Sequence, residues 1–169
     1  MFNQFPALNK QKGFGMTEVI VSMLVLGVAV IGFSALQVRA LDVTGDSMFR
    51  TQAIALAQDL GERIMLNPNG ATKYKATWNA TNSSNCETAS CTPEQMAEYD
   101  IKSVTNTAKQ ILPNGQIKLI KCIERNNYCV YVTWNKTQPN AEGAADSCSN
   151  ENDTFVTNAD CVKLETSLL

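Results

Sequence analysis

From residue 14 to residue 38 the chain is almost wholly apolar, and Glu18 is the single charged residue in those 25 positions. A bilayer core is crossed by a helix of ~20 apolar residues, so the stretch is long enough to span. Beyond it the pattern turns amphipathic. Leu41, Met48, Phe49, Ile54, Leu56, Leu60 and Ile64 recur at three-to-four-residue spacings, and Asp42, Asp46, Arg50, Asp59, Glu62 and Arg63 fall between them. This predicts one helix from about residue 16 to residue 66, ~77 Å long at 1.5 Å per residue. The breaker cluster Asn67-Pro68-Asn69-Gly70 stops it. Its first half belongs in a bilayer, and its second half packs under a globular head.

In the head, residues 67–92 are rich in Asn, Thr and Ser without periodicity and read as a loop region. Thr92-Pro93-Glu94-Gln95 marks a helix start, with Thr92 as N-cap, Pro93 at the first helical position and Gln95 completing a capping box. That helix runs to about Leu112 and stops at Pro113-Asn114-Gly115. Residues 116–124 and 128–135 follow as strands. In the second, Tyr128, Val130, Val132 and Trp134 alternate with Cys129, Tyr131 and Thr133. Centring the turn on Arg125 and Asn126 pairs residues whose numbers sum to 251, which sets Cys122 opposite Cys129. Two final strands, 155–157 and 161–168, complete an antiparallel sheet packed on the helices. The fold class expected is therefore α+β.

Composition narrows the chemistry. The chain of 169 residues has no histidine, which removes the commonest general base and metal ligand. Its net charge of -2, with no basic cluster, supplies no phosphate-neutralising surface for nucleic acid. Six cysteines, Cys86, Cys91, Cys122, Cys129, Cys148 and Cys161, all lie in the polar C-terminal part and point to disulfides in an oxidising compartment such as the periplasm. Fifteen pairings are open. Nearest-neighbour pairing is chosen, and only Cys122 with Cys129 carries a hairpin argument. No pair has C-x-x-C spacing, so a metal is not expected. Enzyme chemistry would fall to groups such as Glu94 and Glu98 or Lys118 and Lys121, whose spacing suits ordinary exposed faces. Trp78 and Trp134 suit either a core or an adhesive surface.

The leader 1–13 carries only Lys10 and Lys12 as charges, which places it in the cytoplasm and the C-terminal body outside. The apolar stretch then fits a secretory signal cut near Val38-Arg39-Ala40, a plain anchor, or a processed anchor. Glu18 separates them, since a carboxylate in hydrocarbon costs ~2.5–3.5 kcal/mol on insertion scales and needs a partner. Lys12-Gly13-Phe14-Gly15-Met16-Thr17-Glu18, followed by the apolar run, resembles the class III signal of type IV prepilins. Gly15-Met16 departs from the more usual Thr-Leu. The resemblance implies cleavage after Gly13, N-methylation of Phe14 by the same prepilin peptidase, and a register role for Glu18 beside Thr17, its carboxylate neutralising a neighbour's Phe14 amine.

The later order is similar to the minor-pilin family PilV, the type IV pilus modification proteins. It runs Leu112-Pro113-Asn114-Gly115, strand, cysteine, turn, a second strand ending Val132-Thr133-Trp134, then a closing strand from Cys161. The resemblance implies a type IV pilin-like fold with segments 1–13 as leader, 14–38 as membrane and filament-core helix, 39–66 as its amphipathic continuation, and 67–169 as head. It implies a non-enzymatic subunit, without cofactor, that sits in the inner membrane before entering the fibre at the cell surface. Its partners would be other major and minor pilins, the prepilin peptidase and the assembly platform, in support of assembly, twitching motility, adhesion or DNA uptake. A minor pseudopilin of a type II secretion system shares the leader; there Asp146, Glu151, Asp153 and Asp160 offer oxygens for calcium without organised spacing. An anchored periplasmic binding protein or enzyme is the alternative of another class.

Overall fold

The computed structural model describes residues 13–76, 78, 85–122, 127–140, 144–152 and 154–166. The leader up to Lys12, the expected hairpin turn at Arg125 and Asn126, and Asp153 lie outside them. Its order is helix α1 (Met16–Leu66), a 3₁₀ turn (Pro68–Gly70), α2 (Ala71–Ala76), α3 (Pro93–Ile111), and strands β1 (Gln116–Lys121), β2 (Tyr128–Thr133) and β3 (Cys161–Thr166). The α+β class expected from the sequence is the class observed. Two compact units divide the chain, the first ending at Thr44 and the second beginning at Gly45.

The described part of the first unit is the N-terminal part of α1 with the three residues before it. Every Val, Ile, Leu, Met and Phe from Phe14 to Val43 is exposed, from 44% at Val19 to 84% at Met16. A helix apolar on all sides is one whose solvent is lipid or other helices. Its hydroxyls are turned inward, Ser22 donating to the Glu18 carbonyl at 2.7 Å and Ser34 to the Val30 carbonyl at 2.9 Å. Bonding back one turn removes a donor that hydrocarbon cannot satisfy.

In the second unit the C-terminal part of α1 buries Ala53, Leu56, Ala57, Leu60 and Ile64. Two alanines carry part of this stripe, while Met48 and Ile54 from the apolar series stay exposed at 59% and 42%. Small side chains let other elements approach closely, which a reading of large residues alone overlooks. On α3, Ala97, Ile101, Val104 and Ala108 supply the matching face. Its N-terminus has the expected capping box, Thr92 Oγ1 accepting from the Gln95 amide at 3.3 Å and Gln95 Oε1 accepting from the Thr92 amide at 2.9 Å.

The sheet has three antiparallel strands in the order β1-β2-β3. Ile117, Leu119, Val130, Val132 and Trp134 join the helices in the main core. The other face holds Cys129 and Tyr131, which with Cys122, Cys148 and Cys161 form a smaller cluster. Central β2 is therefore buried on both sides, from Cys129 through Thr133.

Three expectations need correction. The loop region 67–92 begins with helical structure, α2, because Tyr74 is fully buried and holds that segment in the core. The fourth strand at 155–157 is a single bridge, Phe155 with Ser149. The β1–β2 register sums to 249, so Cys129 faces Ile120 and Cys122 stands diagonal to it. A slip of two keeps every side chain on its own face, and for that reason the cysteines still meet.

Candidate functional site

Two regions carry candidate chemistry, the N-terminal end of α1 and the second unit. Gly13, Phe14 and Gly15 precede the helix in non-helical conformation, and α1 begins at Met16. The amides of Glu18 and Val19 bond the Gly15 carbonyl at 2.9 and 3.4 Å, closing the first turn. Thr17 and Glu18 thus sit in the first turn of the helix, where its dipole favours an acid. Phe14 is 82% exposed. The three exposed residues 13–15 are followed at once by an apolar helix with one carboxylate in its first turn.

The cysteines form three bridges, Cys86–Cys91, Cys122–Cys129 and Cys148–Cys161, and none of them is free. The last joins β3 to the segment after residue 137 and closes the smaller core cluster.

A polar network that the pattern did not reveal ties the helices together. Arg63 donates from Nε to Asp59 and from Nη1 to Asp100, both at 2.9 Å, and the Tyr74 hydroxyl donates to the other Asp100 oxygen. Asp100 is 5% exposed. Burial, then the Asp100 bond, pushes the Tyr74 hydroxyl well above its ordinary range, and the Asp59 bond leads in raising Arg63. Lys73 reaches Glu98 at 2.7 Å, which raises the lysine. One signal was available in the sequence: Asp100 lies on the apolar face formed by Ala97, Ile101 and Val104.

Other candidate residues are not gathered for catalysis. Glu94 sits in the first turn of α3, where its own backbone N–H and the Thr92 side chain hold its carboxyl below the usual range. Glu98 is taken by Lys73, and Lys118 and Lys121 are exposed on opposite faces of β1. Trp134 is fully buried beneath Arg50, and half-buried Trp78 packs on the main core, donating to the Tyr74 carbonyl at 3.0 Å. Among the described residues no three acids or cysteines are grouped to hold a metal.

A family model described as type IV pilin Tt1218 matches residues 35–102. The prokaryotic N-terminal methylation motif matches residues 8–34. Comparison with curated proteins and with solved structures finds no match.

Proposed function

We propose, from the support that these two matches give to a type IV pilin, that this chain is a minor pilin, cut after Gly13, methylated on Phe14 and assembled through α1 into a fibre. The observation that carries the reading is a helix exposed and apolar on all sides whose only acid before residue 42, Glu18, lies in its first turn. Pilins are structural subunits, so the work of such a chain is packing. The methylation motif implies processing by a prepilin peptidase and assembly with other pilins. The motif and the apolar helix together suggest membrane anchoring and a place in a pilus.

Glu18 acts in this reading through charge pairing. The new Phe14 amine is a cation, and two opposite charges removed from water are tolerated when each is neutralised and costly when one stands alone. Subunits slipped along the axis would leave a carboxylate and an amine unpaired in the apolar fibre core, which selects one register. Segment 14–38 lies in the inner membrane before assembly, and the second unit faces the periplasm, where its three bridges persist. The closer assignment to the PilV family is supported by the order of Leu112-Pro113-Asn114-Gly115, β1, β2 closing on Trp134, and β3 from Cys161.

Intact mass with N-terminal fragmentation, on protein taken from its native membrane, tests this. The expected product begins at methylated Phe14 and is six hydrogens lighter than the all-thiol chain, two for each bridge. A start at Leu41 would make it an ordinary secreted protein, and a start at Met1 a plain anchor.

A further inference from the structure

Three turns meet at one end of the sheet. They follow α3 (Pro113 to Gly115), follow β2 (Trp134 to Thr137) and precede β3 (Asn158 to Asp160). Short bonds lock them together. The Asn135 amide bonds the Pro113 carbonyl at 2.7 Å, the Trp134 amide the Asp160 carbonyl at 3.0 Å, and the Asp160 amide Thr137 Oγ1 at 2.9 Å. Each turn has one asparagine in the left-handed region, Asn114 at φ 54°, Asn135 at 57° and Asn158 at 61°. These are all the non-glycine residues with positive φ among those described. Turn geometry accounts for an asparagine at each place. It does not account for all three lining a single open cleft of about 550 Å³, together with Asp146, Asp160 and Lys136.

The lining selects a class of ligand. Its volume lies within the range of small-molecule sites. Carboxamides both donate and accept, the two carboxylates accept, and the ammonium donates. Among the described residues Ala145 is the only aliphatic one in the lining; the rest of the apolar surface there is carbon of polar residues, which suits the C–H face of a ligand that is itself hydroxylated. An anion would meet Asp146 and Asp160, and a cation would meet Lys136. A neutral ligand with adjacent hydroxyls, each both donor and acceptor, matches the set. The bonded turns hold these groups in place beforehand, which reduces the ordering cost of binding. Asn135 Nδ2 already bonds Asp160 at 2.9 Å, leaving the second oxygen of that carboxylate and the amides of Asn114 and Asn158 for hydroxyls.

We propose that this cleft binds a neutral saccharide. The proposal stands apart from the filament reading, since it concerns only the second unit and holds whether or not Phe14 is methylated.

The test is NMR of the full-length chain in a sugar-free zwitterionic detergent, titrated separately with galactose, mannose and N-acetylglucosamine. At least one sugar should give saturable shifts on the side-chain amides of Asn114, Asn135 and Asn158, with Kd of order 1 mM. Asn158→Gly keeps the left-handed turn and deletes the carboxamide, and should weaken binding about three- to tenfold. Lys102→Ala, on α3 and outside the cleft lining, should not change it. No saturable shift with any sugar, or equal affinity in N158G, overturns the proposal. So does calcium chloride reproducing the same shifts, which would make the cleft a cation site.

Discussion

At Asp100 a carboxylate is buried between two partners from other helices, Arg63 and Tyr74. Asp100→Ala leaves the Tyr74 phenol without its acceptor and Arg63 with one of its two. Removing one member of a buried pair costs roughly 3–5 kcal/mol, but Arg63 is about a third exposed and keeps Asp59, so a loss of about 2–3 kcal/mol in chemical denaturation is expected. Tyr74 adds a pH dependence. Its ordinary value is 10.0, and the folded state displaces it upward. Above pH 10 the unfolded chain releases a proton that the folded chain retains, so this contribution is complete below pH 10 and declines as pH rises. Thermal midpoints of the wild type should fall more steeply than those of Tyr74→Phe between about pH 10 and about pH 12. At the other end of α1, Glu18→Ala is expected to leave cleavage after Gly13 intact while reducing the chain's share in sheared fibres. Undiminished incorporation would remove the charge-pairing argument.

The elements differ in how locally they are determined. Helix α3 carries its own start in Thr92, Pro93 and Gln95, and Thr92→Ala should cost about 1 kcal/mol, read from the thermal midpoint. Its exit depends on space. A Cβ on Gly115 would sit 2.1 Å from the Ala108 carbonyl oxygen and 2.8 Å from the Leu112 Cβ. Backbone cannot yield there cheaply, so Gly115→Ala should destabilise by about 1–3 kcal/mol, as overpacking does. By contrast, α2 has six residues and no apolar period, too short to hold alone. Burial of Tyr74 and the Lys73–Glu98 pair stabilise it, and neither partner is near in sequence. The β1–β2 register was legible only to within two residues, since alternation specifies which face a side chain takes but not its place along the strand.

For the whole molecule, the bridges compensate for a core shared between one small sheet and the helices. Cys148–Cys161 spans 13 residues, and closing such a loop restricts the unfolded chain by about 3 kcal/mol. Replacing both cysteines by serine should lower stability by that order in denaturant titration and loosen the cluster around Tyr131. The sequence by itself determined the apolar span, the isolated Glu18, the end of α1 at the Asn-Pro-Asn-Gly breaker, the capped start of α3 and the α+β class, because each rests on neighbours within a few positions. Tertiary structure alone decided that alanines line the α1 stripe, that β2 is covered on both faces, that Asp100 is shared by Arg63 and Tyr74, and that three separate turns gather their asparagines around one cleft. These depend on which distant surfaces meet. Contact between residues tens of positions apart is set by the packing of faces, and local periodicity records only that a face exists.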